Sequence, residues 1–129
     1  MSRPGVLPSR RGMCYTDAMV RAVLMDLAND PILDRFRAVL DALYGGRLER
    51  AVLFGSRARG DERPDSDYDV AVFLRDYHGF WNEVRPLAAV TTDILLETGV
   101  VISAKPFPAG GYRERTAFMG EIRRDGCDL

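Results

Sequence analysis

Apolar positions along this chain follow two periods, and the change from one to the other divides it into elements. From Thr16 to Tyr44 they recur every three or four residues. Met19, Val20, Val23, Leu24 and Leu27 make one stripe; Ile32, Phe36, Val39, Leu40 and Leu43 make a second. That spacing predicts two amphipathic helices. Thr16 or Asp17 can cap the first. Asp30 can cap the second with Pro31 in its first turn, and Gly45-Gly46 ends it. Leu48 to Phe54 is a short apolar run that reads as a strand. Asp67 to Leu74 alternates, with Tyr68, Val70, Val72 and Leu74 on one face and Asp67, Asp69, Ala71 and Phe73 on the other, so it reads as a second strand. Phe80 to Thr98 returns to the helical period, with Trp81, Val84, Leu87, Ala88 and Leu95 on its apolar face and Gly99 as its stop. Phe80 and Trp81 are accordingly expected in the core. Val100 to Ala104 is expected as a third strand that Pro106 and Pro108 terminate, and Tyr112 to Arg123 as a last helix. Strands alternating with helices predict an α/β (α+β) fold, a small mixed sheet with helices packed on it.

Composition narrows the function classes. The chain has 129 residues, enough for one domain with its own core. Residues 1–13, rich in Pro, Gly, Ser and Arg, are expected to be a flexible tail ahead of a domain at 14–129. The net charge is −1, so no overall positive field favours nucleic acid. No apolar run approaches the roughly 20 residues of a membrane span, and the opening MSRPGVLPSRRG lacks the apolar stretch of a signal peptide. Cys14 and Cys127 have no zinc-type spacing and read as reduced thiols of a cytoplasmic protein. His78, the single histidine, reads as a surface turn residue. Lys105 is the chain's one lysine.

The chemistry concentrates in residues 55–70, GSRARGDERPDSDYDV. Asp67 and Asp69 alternate along a strand and therefore project together. Two adjacent carboxylates repel unless a cation sits between them. Mg²⁺ suits such a pair, because it takes oxygen ligands from one or two carboxylates and completes its shell with substrate phosphates. Gly55 lets backbone approach a ligand closely, free N–H groups of its turn can hold an anion, and Ser56 adds a hydroxyl. Arg57 and Arg59 can reach phosphate oxygens. A phosphate cradle beside metal carboxylates is what metal-assisted transfer from a nucleotide requires.

GSRARGDERPDSDYDVAVFL resembles the signature of the minimal nucleotidyltransferases of the DNA polymerase β superfamily: Gly-Ser, ten residues, then Asp-x-Asp, met here by Gly55, Ser56, Asp67 and Asp69. The order of elements is also similar. The resemblance implies a polymerase-β-type nucleotidyltransferase fold, with Asp67 and Asp69 as catalytic metal ligands and Gly55, Ser56, Arg57 and Arg59 at an ATP substrate. Its closest likeness is to the antitoxins paired with HEPN-domain toxins, implying transfer of AMP to a tyrosine of a HEPN partner. The family also uses a third carboxylate on the following strand, which here reads GVVISAKPF and holds no acid; Glu97 on the preceding helix is the candidate third acid. The alternatives are a degenerate binding module that neutralises a partner by contact and, third, a transferase for a small molecule of the aminoglycoside type. A homo- or hetero-oligomer is compatible with either leading reading.

Overall fold

The computed structural model describes residues 30–60 and 66–129, in which a four-stranded sheet is the framework. The predicted helix at 16–27, the tail at 1–13 and Cys14 lie outside the described residues. Helix α1, Pro31–Tyr44, starts as its sequence dictates. The Asp30 carboxylate accepts from the Ile32 and Leu33 N–H groups at 2.9 and 3.3 Å, and Pro31 opens the first turn. A 3₁₀ turn, Gly45–Arg47, leads into β1, Leu48–Phe54. One helical turn, α2 (Ser56–Arg59), follows directly. Strand β2 is Tyr68–Leu74, α3 is Phe80–Thr98, β3 is Ile102–Pro108, α4 is Ala117–Asp125 and β4 is Cys127–Asp128.

The sheet order is β3-β2-β1-β4. β1 pairs antiparallel with β2 and β4, and β2 pairs parallel with β3. A parallel pair needs a crossover, and α3 supplies it. The alternation read in β2 sets the two sides of the sheet. Tyr68, Val70, Val72 and Leu74 join Leu33, Phe36 and Leu40 of α1 and Leu87 and Ile94 of α3 in the larger core. Ala71 and Phe73 join Val52 and Phe54 of β1 and Met119 and Ile122 of α4 in a smaller one on the opposite face. Asp67 and Asp69 belong to that second face.

Three expectations are corrected. β3 does not stop at Ala104 but runs through Pro106 to Pro108. It is an edge strand, and the Ala109 N–H donates to the Leu74 carbonyl at 2.8 Å. The amides that face β2 are thus the odd-numbered ones, while both prolines take even positions whose N–H would point outward, where the missing donor costs nothing. The last helix begins at Ala117 rather than Tyr112. Thr116 caps it by accepting from the Met119 N–H at 3.1 Å, and Gly111–Arg113 forms a separate 3₁₀ turn. Phe80 and Trp81 are not core: they pack edge-to-face on each other at 5.2 Å, and Trp81 remains 72 % exposed. The stripe of α3 that enters the core runs through Leu87 and Ile94, and the buried Glu83 precedes it.

Candidate active site

β1 ends at Phe54 against Asp69 of β2. The chain then turns at Gly55, whose φ of +79° lies in the left-handed region that favours glycine. A Cβ built there would lie 2.5 Å from Asp69 Oδ2. The turn therefore rests directly on the second carboxylate, and only a residue without a side chain allows the approach. Ser56 opens α2 immediately beyond. The Gly-Ser turn and the aspartate pair, twelve positions apart in sequence, form one surface at the β1 exit.

Electrostatics agree with that closeness. Burial pushes the Asp69 carboxyl above the ordinary carboxylate range, and the charge of Asp67 pushes it further; Lys105 and Arg59 pull it back. The pair thus stores repulsion that a cation would relieve. Asp67, just ahead of β2, is exposed, and Asp69 is half-buried. Two carboxylates open to solvent on one side match a metal that keeps waters or substrate phosphates as its other ligands, so the residues fit Mg²⁺. They do not form an all-protein cage: among the described residues no group of three or more His, Cys, Asp or Glu side chains could hold an ion.

Arg57 and Arg59 differ in placement. The Arg57 Nε donates to the Ser66 carbonyl at 3.0 Å, and its guanidinium lies 4.0 Å over the Tyr68 ring. Arg57 therefore ties the start of the loop to its return. Tyr68, between the two aspartates but facing the other way, donates its hydroxyl to Asp30 Oδ2 at 2.7 Å, which fastens the site to the capped end of α1. Arg59 stays near enough to Asp69 to act on its charge.

The structure does not bring Glu97 to the pair. It sits on the last turn of α3, exposed and bonded to Arg35 of α1 at 2.5 Å, within the helical layer on the opposite side of the sheet from Asp69. The β3 residue in register with Asp69 is Ser103, and the next on that face is Lys105, in register with Ala71. Lys105 is the site residue that sequence reasoning missed. The one available signal was its place two residues after Ser103, which on a continuous strand puts both on one face.

This geometry defines the class as a nucleotidyltransferase fold. Residues 44–105 match the family model described as "Polymerase beta, Nucleotidyltransferase", and the chain carries a nucleotidyltransferase domain of the polymerase β superfamily. Two curated proteins of Methanocaldococcus jannaschii are similar to it. "Putative protein adenylyltransferase MJ0141" is 24 % identical over 98 residues, 76 % of this chain and 95 % of that protein. "Putative protein adenylyltransferase MJ0604" is 35 % identical over 72 residues, 56 % of this chain and 66 % of that protein. A crystal structure titled as a "putative nucleotidyltransferase" from Sulfolobus solfataricus aligns with a TM-score of 0.47 and 16 % identity, over 91 % of this chain and 90 % of the other. Among the described residues no helix is long and apolar enough to cross a membrane.

Proposed function

We propose that this protein transfers AMP from ATP to a hydroxyl group of a partner protein, a tyrosine of a HEPN-type toxin, and so acts as an antitoxin in the cytoplasm. The observation that carries the transfer chemistry is the seat of the Gly55 turn on Asp69 Oδ2: a turn suited to phosphate and a pair suited to a metal share one surface. The names printed for the two M. jannaschii relatives support a protein acceptor.

In the reaction the acceptor hydroxyl oxygen attacks the α-phosphorus. The new O–P bond forms while the bond from the α-phosphorus to the bridging oxygen breaks, pyrophosphate leaves with that electron pair, and the hydroxyl proton passes to solvent. Bound Mg²⁺ would neutralise phosphate charge and polarise the α-phosphorus. Asp67 and Asp69 would hold it; Gly55 and Ser56 would orient the phosphates. Tyr68, through Asp30 and Arg57, keeps the strand that bears both aspartates fixed relative to the turn.

The test is transfer of label from ATP labelled on its α-phosphate, with Mg²⁺, to the product of a neighbouring gene. Asp67→Asn and Asp69→Asn should each abolish labelling while leaving the circular dichroism spectrum intact, because each amide removes a charged ligand. Undiminished labelling by either variant overturns the assignment. A second reading, neutralisation by contact without turnover, is favoured by one observation: opposite Asp69, β3 offers Ser103 and no carboxylate. Saturable nucleotide binding and tight partner binding without label would select it.

A further inference from the structure

The geometry points to Lys105 as the second phosphate-neutralising cation of this site, a fixed ammonium where two-metal enzymes place a second ion. The inference rests on the nucleotide-binding reading above. Its ground is placement. Asp69 is in register with Ser103 and Ala71 with Lys105 on parallel strands, so Lys105 stands one step along the site face from the pair. Phe107, the next residue on that face, stacks on Phe73 with ring centroids 5.5 Å apart, which fixes the direction of the strand on both sides of Lys105. β3 is an edge strand and Lys105 is exposed. Its charge is felt at Asp69, yet among the described residues it makes no salt bridge or hydrogen bond of its own. It is held near the acidic pair without being consumed by it.

Charge balance gives this placement a purpose. A nucleoside triphosphate brings about four negative charges to a surface that already holds two carboxylates, and one divalent ion cannot offset them. In two-metal sites a second ion clamps the attacking and leaving oxygens. With two carboxylates, one divalent ion and one ammonium, the protein side carries the same net charge as three carboxylates with two divalent ions. An ammonium suits the task because it binds phosphate as a compact point charge. It needs no further carboxylate, and β3 supplies none. Lys105 remains protonated throughout: it neutralises charge on the phosphate oxygens as the acceptor's O–P bond forms and pyrophosphate leaves, and it transfers no proton.

Binding tests this on the full chain without any acceptor. The probe is α,β-methylene-ATP with Mn²⁺; affinity is read by calorimetry, and bound ions are counted by paramagnetic resonance. The wild type should hold one Mn²⁺ per nucleotide-loaded chain. Lys105→Met should weaken analogue binding about 10- to 100-fold, the range of one charge-assisted hydrogen bond, and Lys105→Arg should stay within about threefold of wild type. Two Mn²⁺ ions in the wild type, or unchanged affinity in Lys105→Met, would overturn the role of Lys105 while leaving the nucleotide site standing. Asp67→Asn/Asp69→Asn separates the two ideas, since it should lose nucleotide-dependent Mn²⁺ whatever occupies position 105. Wild-type protein that binds no analogue overturns both.

Discussion

Gly55 is the residue on which the site turns, and its requirement has two separable parts. The backbone there has φ +79°, where any L side chain is strained, and the space a Cβ needs is taken by Asp69 Oδ2. Gly55→Ala should cost about 1–3 kcal/mol, the range of a residue held in a forbidden region plus a local clash, and should abolish nucleotide binding. A double-mutant cycle divides the cost. In an Asp69→Ala background the carboxylate is gone, so the steric part of Gly55→Ala should vanish and only backbone strain should remain. Equal costs in both backgrounds, read from urea midpoints, would show that the turn does not rest on Asp69. The same contact explains why the Gly-Ser signal is strong in combination and weak alone. The glycine matters because a particular carboxylate, many residues later, lies against it.

At the scale of elements, the start of α1 and the start of β2 are stabilised by one side chain. Asp30 caps α1 through one carboxylate oxygen and accepts from the Tyr68 hydroxyl through the other. Asp30→Ala should therefore lose a cap and a tertiary hydrogen bond together, about 1–2 kcal/mol in a urea titration. Tyr68→Phe should cost little more in that background; a full additional loss would mean that the two groups act separately. Elements such as α1, β1 and α3 were legible because cap, period and glycine stop all lie within a single segment. β4, the length of β3 and the start of α4 were not, because each depends on pairing that no local pattern records. Pro106 reads as a strand breaker until β3 is known to be an edge. For the same reason Asp67 and Asp69 could be assigned to one face from alternation alone, whereas Lys105 joined them only once β3 was seen to continue and its register with β2 was known. Glu97 had the right chemistry, but its helix lies on the other side of the sheet.

For the molecule as a whole, the sheet separates chemistry from one of its main electrostatic fastenings. The site lies at the Phe54 end of β1. At the other end, roughly 20 Å away by the rise of a seven-residue strand, Glu83 of α3 is 3 % exposed. It accepts from Arg47 at 2.6 Å and from the His78 N–H at 2.8 Å. Burial opposes its charge, but those two donors outweigh burial and hold its carboxyl below its ordinary value of 4.5. A depressed carboxylate contributes stability that is present above its unfolded-state pKa and is lost as pH falls through the folded-state value. Glu83→Gln should thus lower stability at pH 7 by about 1–3 kcal/mol, less than a fully buried pair because Arg47 is one-third exposed. The gap between variant and wild type should close as the pH drops below 4.5 and the native carboxyl takes up its proton. Thermal melts across pH 3–7 read this directly, and a gap that stays constant over that range would deny the ion pair its role. Analogue binding by the folded variant at pH 7 should match the wild type, because nothing at the Arg47 end touches Gly55, Asp67 or Asp69. A loss of affinity in Glu83→Gln would mean that the two ends of the sheet are coupled, and that the α3 end takes part in setting the nucleotide site.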